Sequence, residues 1–383
     1  MSERKGETKR QHYVPRMILR NFSEDGKRIS LVVNGKRIDK TSLRDQCQED
    51  YFYGADQVIE KSFADEEDKM AAFFGDLAPE RFANLNKENV HQLRLFVAYQ
   101  HARTRGAAEH LSKFTGAFAK QTLTDSLILN KTIEVSLQDL ESVEIGMHDA
   151  QNEAIWLAAK TNPILFDMNV KFVTTTRTQG FIIADHPVVA YNQFAEHHAI
   201  LSRYPTATGL ALKGLQLFMP LSPTMALAVF DPSTYEYGGK NSVCKAGPAD
   251  VAHLNRMQAV NAHACFYFDD RRMTDAALSD LDRTRNQHPS VFKKHVATSP
   301  MIQREDGKMS RFVAVYDTEV RVGAKLSFIR TIDGHSYEGY EGASVPIRSR
   351  EVMEFAELYG KMLDEQLAKR RADREKTSAP RDE

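Results

Sequence analysis

A histidine, three arginines and two side-chain amides fall within the thirteen residues Arg10-Gln11-His12-Tyr13-Val14-Pro15-Arg16-Met17-Ile18-Leu19-Arg20-Asn21-Phe22. An imidazole moves protons near neutral pH and a guanidinium forks onto phosphate or carboxylate oxygens, so this stretch holds the parts of an anion-handling site. Glu60 and Glu67 lie seven apart, two turns of a helix. Carboxylates so spaced could ligate a divalent cation together with a third acid. Asp185 and His186 follow the apolar run Phe181-Ile182-Ile183, and a strand end both holds and exposes side chains. Together these groups describe phosphodiester hydrolysis, with His12 as base and Arg16 taking the developing charge. Asp185 would hold the metal or orient His12, and His186 would supplement either. Gln11, Arg20 and Arg103 are the expected substrate contacts; Glu60, Glu67 and Asp185 are the expected ligands of a divalent cation. The same residues could instead form an ion-pair network that fixes the core, and an Asp ahead of X-Pro can cap its own turn.

The strong catalytic signatures are absent. There is no phosphate-cradling glycine loop, metalloprotease helix or nucleophile elbow, and Ser222 in Pro220-Leu221-Ser222-Pro223 lacks the glycines an elbow needs. Arg94 with His101, and Arg105 with His110, fit the loose Arg-then-His spacing of the helical RNases called higher-eukaryote-and-prokaryote nucleotide-binding domains. That spacing is degenerate and arises by chance in helices that hold Arg and His, so a solvated polar face is the ordinary reading of it.

Backbone chemistry places the opening segment. Pro15 keeps Val14 out of the helical region, so Gln11 to Val14 should run extended and a helical turn should start at the proline. Beyond it Ile18, Leu19 and Phe22 recur at helical spacing and need burial, while Arg16 and Arg20 lie four apart and point together. Gln11 to Pro15 and Leu19 to Phe22 resemble the opening Gln-His-Tyr-Val-Pro and Leu-Arg-Asn-Phe of the largely bacterial domain-of-unknown-function family 4238. Arg103-Thr104, Ala184-Asp185-His186-Pro187 and Pro220 to Pro223 resemble later family motifs, over roughly residues 10 to 270. In the third of these, Ala184 stands for the family's hydroxyl residue and His186 for its amide. The resemblance implies a set of positions and no established reaction.

At 383 residues with 42% apolar and 27% charged content, the chain can bury a sizeable core. Neither an apolar run of membrane-spanning length nor a leader-like amino terminus is seen, which makes the cytoplasm the expected compartment and excludes a membrane partner. Cys47, Cys244 and Cys265 are too scattered for a disulfide framework or a cysteine zinc site. The net charge of −1 gives no global drive toward nucleic acid, yet residues 1–40 hold eleven Lys/Arg against five Asp/Glu.

Patterning predicts an α+β fold, with a helical amino-terminal half packed on a central, mostly antiparallel sheet. Asn34-Gly35 after Ile29 to Val33 signals a hairpin. Helices are expected over Gln57 to Phe74, Glu88 to Gly106, Asp139 to Ala159 and Pro248 to Ala262, and the sheet over residues 171–183, 215–230 and 264–268. The main domain is expected over residues 8–285, a small β unit and amphipathic helix over 286–372, and a disordered tail over 373–383. The function this supports first is a phosphodiester hydrolase, in particular a nuclease. The alternative is a non-catalytic module that binds nucleic acid or protein through the basic arm and a polar cleft. Catalysis requires Asp185 to share a cleft with His12 and with Glu60 or Glu67.

Overall fold

A computed structural model describes residues 8–129, 139, 142–176, 179–203, 205–238, 241–332 and 345–378. Its strands are β1 (Arg10–His12), β2 (Arg28–Val33), β3 (Lys36–Ser42), β4 (Gln48–Asp50), β5 (Asn169–Thr174), β6 (Ile183–Ala184), β7 (Val189–Tyr191), β8 (Gln216–Ser222), β9 (Met225–Phe230), β10 (Tyr235–Tyr237), β11 (Val243–Lys245), β12 (Cys265–Phe268), β13 (Lys294–Thr298), β14 (Ile302–Gln303), β15 (Met309–Ser310), β16 (Val313–Asp317) and β17 (Ile329–Thr331). The helices are α1 (Arg16–Asn21), α2 (Val58–Phe74), α3 (Lys87–Ala102), α4 (Arg105–Leu129), α5 (Ala150–Thr161), α6 (Gln193–His197), α7 (Pro248–Asn261), α8 (Asp275–Gln287) and α9 (Arg350–Ser378).

The fold is α+β with mostly antiparallel sheets, as the patterning predicts. A five-stranded sheet runs β11-β5-β9-β8-β7, antiparallel except for β11 against β5. A four-stranded sheet runs β3-β2-β12-β6, antiparallel throughout. Asn34 and Gly35 both take positive φ, 50° and 70°, which closes the β2–β3 hairpin with the twist it needs.

One central sheet was expected and two are found: β5, β8 and β9 lie in the first, β6 and β12 in the second. The reason lies in α7, whose buried amides recur every three residues and take the place of a neighbouring strand. Asn255 Oδ1 accepts from Ile182 N–H at 3.0 Å and its Nδ2 donates to Gly180 O at 2.9 Å. Gln258 Oε1 accepts from Ala184 N–H at 3.0 Å and its Nε2 donates to Pro187 O at 2.8 Å. Asn261 Nδ2 donates to the carbonyls of His186 and Val188. A buried backbone group must be paired, and here side chains do the pairing.

Pro220 also departs from expectation, since the Pro220–Pro223 link cannot by its chemistry be a central strand, yet Pro220 lies inside β8, between β9 and β7. Two features permit it. The β7 ladder ends at Val189 opposite Phe218, before the proline, and the β8–β9 register shifts between Pro220 and Ser222.

The helical amino-terminal half is interrupted by β1–β4, and its main core gathers Tyr13, Ile18, Leu19 and Phe22 with Phe63, Leu93 and Phe172. The helix expected through Gly106 stops at Ala102 and α4 starts at Arg105, so Arg103-Thr104 form a corner. The helix expected from Asp139 starts at Ala150, because residues 143–147 are not helical. Past residue 285, β17 pairs with β10, and Phe292, Val320, Leu326 and Phe328 share a buried cluster with Val173, Phe218 and Met257. Helix α9 packs on α5 and reaches Ser378, beyond the Asp373 at which a tail was expected. Residues 379–383 lie outside the described residues. Among those described, no helix is long and apolar enough to cross a membrane.

Candidate functional site

The opening segment is locked into the body by its own polar groups. Gln11 is fully buried: its Oε1 accepts from Tyr53 N–H at 2.6 Å and its Nε2 donates to Gly54 O at 3.1 Å. Tyr13 N–H donates to Cys47 O at 2.9 Å, and Tyr13 O accepts from Gln100 Nε2 at 3.0 Å. Pro15 starts α1 as expected, which buries Ile18 and Leu19 and turns Arg16 and Arg20 outward.

Arg103 ties this segment to α2. Its guanidinium, 4% exposed, donates to His12 O at 2.6 Å, to Glu67 Oε1 at 2.7 Å and to the Tyr53 hydroxyl at 3.0 Å, and lies over the Phe63 ring at 4.0 Å. The outcome is a cleft of about 450 Å³ walled by His12, Arg16, Arg44, Glu60, Glu67 and Arg103, with Thr8 to Arg10 along one side. Five sequence candidates therefore meet in it: His12, Arg16, Glu60, Glu67 and Arg103. Arg20 does not line it, and Gln11 supports it from below.

The cleft is electrostatically uneven. Burial, with the charges of Arg16, Arg103 and Arg10, lowers the His12 imidazole to about 4, although its contact with Arg44 O works the other way. Burial pushes the Glu60 carboxyl up to about 7, against the pull of Arg103 and with the help of Glu67. Among the described residues Glu60 has no hydrogen-bond partner, and neither Arg16 nor Arg44 has an ion-pair partner. Arg44 was not legible as a site residue: it follows the hairpin in Ser42-Leu43-Arg44-Asp45 without any periodic signal.

Asp185 does not share the cleft. It is 2% exposed, and its carboxylate accepts from the backbone N–H of His263 and Ala264 at 2.8 Å each and of Cys265 at 3.3 Å. Burial pushes this carboxyl upward while the three N–H donors pull it down. Its work is to cap the turn into β12, not the turn of its own X-Pro. Nor is the metal set assembled, because Glu67 is committed to Arg103 and Asp185 to backbone. Among the described residues no group of three or more His, Cys, Asp or Glu could hold a metal ion.

His186 faces a different space, a cavity of about 390 Å³ lined also by His101, His110 and Phe292. Its Nδ1 lies 2.5 Å from Thr104 Oγ1, and Thr104 Oγ1 also accepts from Ala107 N–H at 3.1 Å, which caps α4. A Cβ on Gly106 would stand 3.0 Å from the Phe292 ring and 3.3 Å from His186, so a larger residue there would have to push one of these rings back. His110 Nε2 lies 2.6 Å from Asp317 Oδ2. Thus His101 and His110, read from spacing as one polar face, line a cavity, while Arg105 is exposed and Arg94 bonds to Met168 O.

The model of the family described as "Protein of unknown function (DUF4238)" matches residues 10–272. No curated protein and no solved structure matches the chain.

Proposed function

The chain belongs to the DUF4238 family, and from the geometry of its cleft we propose that it binds phosphate groups of a nucleic-acid backbone. The observation that carries this reading is the pair of exposed guanidiniums of Arg16 and Arg44, which face one cleft without an ion pair among the described residues. Lys9 and Arg10 extend the same basic edge and form exposed pairs with Asp50 and Asp45. Such pairs are worth about 0–1 kcal/mol, so a phosphate competes with them readily. Cations spread over an edge suit a repeating polyanion better than a single free phosphate. With Asp185 outside the cleft, binding takes precedence over metal-dependent hydrolysis.

A second reading, phosphodiester hydrolysis in the same cleft, rests on one observation: Glu60 at about 7 and His12 at about 4 have been driven in opposite directions, the pattern of an acid–base pair. Fluorescence anisotropy with a labelled single-stranded oligonucleotide tests the first reading. Arg16→Ala and Arg44→Ala should each weaken binding about tenfold and flatten the salt dependence by roughly 0.7 per lost contact. Binding that ignores salt, or variants that bind like the parent, would defeat it. Cleavage of that oligonucleotide in EDTA, lost in Glu60→Gln while binding stays, would establish the second.

A further inference from the structure

The histidine-lined cavity takes no part in that reading and lies among α3, α4, α5 and the chain around Phe292 and Asp317–Val320. Its walls are largely alanine, leucine, valine and phenylalanine, such as Ala107, Leu111, Ala158 and Val291. A void of about 390 Å³ with such walls is poor housing for water, which needs several polar partners per molecule. Space of this kind, with a few convergent polar groups, is how small-molecule sites are built.

The charges on its wall are already balanced. Asp317 is buried enough to be pushed upward, yet His110 and Lys294 outweigh this and hold its carboxyl below the usual range. Glu319 accepts from the backbone N–H of Ala207 and Thr208 and from the Thr208 hydroxyl. Burial lowers His101 to about 4 and holds His186 well below the usual imidazole range, so both rings are neutral near pH 7. A charged guest would find no counter-charge to meet.

Two polar atoms remain for a guest. Asn261 spends its Nδ2 on the carbonyls of His186 and Val188, which leaves Oδ1 as an acceptor without a partner among the described residues. His186 has Nδ1 against the Thr104 hydroxyl. That hydroxyl accepts from Ala107 N–H and meets no other acceptor for its own proton among the described residues, so it donates to Nδ1 and the imidazole proton sits on Nε2 as a donor. Both residues line the cavity. An acceptor and a donor on neighbouring residues match a donor–acceptor edge such as a carboxamide.

We propose that this cavity binds a small, uncharged, mainly apolar molecule whose hydrogen-bonding head, of the carboxamide type, is read by Asn261 Oδ1 and His186 Nε2. The test is a saturation-transfer NMR titration of the full chain with benzamide, toluene, benzoate and benzamidine. Benzamide should bind saturably and about tenfold more tightly than toluene, the worth of one or two hydrogen bonds. Benzoate and benzamidine should bind no better than toluene. Ala158→Phe and, separately, Leu157→Trp place bulk at the wall; whichever keeps the parent's melting temperature should lose benzamide binding, while Arg16→Ala keeps it. The proposal is overturned if benzamide does not saturate, if either charged analogue equals it, or if a well-folded filled variant still binds it.

Discussion

Arg103 and Thr104 are neighbours in the chain and serve different cavities. Arg103 grips His12 O, Glu67 and Tyr53 beside the basic cleft, while the Thr104 hydroxyl reaches His186 Nδ1 beside the apolar one. The corner between α3 and α4 is therefore the joint through which the opening segment and the segment after β6 are referred to each other.

Thr104→Val keeps the shape and removes the hydroxyl, so α4 loses the oxygen that accepts from Ala107 N–H and His186 loses its partner. A loss of about 1–2 kcal/mol is expected in chemical denaturation. Oligonucleotide binding should be unchanged, because Arg103 and the cleft are untouched.

Asp185→Asn replaces a carboxylate serving three N–H groups by an amide with one acceptor oxygen and an NH₂ that no partner awaits. Destabilisation of roughly 2–3 kcal/mol follows from the buried mismatch. If thermal melting stays within a degree of the parent while binding or cleavage is lost, Asp185 belongs to the site after all.

The raised Glu60 carboxyl has a definite sign in stability. The folded chain holds this proton more tightly than the unfolded one, so the contribution is full below the ordinary 4.5 and is lost as pH rises through about 7. Glu60→Gln should thus melt higher than the parent at pH 8 and alike at pH 4. His12 works oppositely: its lowered imidazole supports the fold above 6.5 and is lost as pH falls toward 4. An anion in the cleft favours the protonated form of both groups, so oligonucleotide affinity should climb as pH drops from 8 to 6. A flat affinity profile would show that Glu60 does not face the bound phosphate.

Phe22 is 1% exposed in the main core, and Phe22→Ala should cost roughly 3–5 kcal/mol in equilibrium unfolding. A cost below about 1 kcal/mol would mean that α1 is only laid on the surface.

Sequence periodicity located most elements because burial imposes it: α2, the β2–β3 hairpin, α7 and β12 sit within a residue or two of their expected places. What it could not show was the corner at Arg103, which interrupts a stripe that reads as one helix through Gly106. It also could not show that Asn255, Gln258 and Asn261 are buried, since polar residues at helical spacing read as a solvated face. The candidate site was legible where chemistry and chain position coincide, at His12 and Arg16. It was illegible where partners come from far away: nothing near Asp185 announces that the N–H groups of His263, Ala264 and Cys265 await it, nor near Glu67 that Arg103 will claim it.

The three amides of α7 make the segment from Gly180 to Val188 depend on the helix as well as on β12, which pairs with it at Ile183 and Ala184. Opening that segment alone would strand amide groups on both sides, so the two should separate from the body as one cooperative unit. In hydrogen exchange, the protons on Ile182 and Ala184 should be released at the same free energy as those in the middle of α7, although the residues lie more than seventy positions apart in the chain.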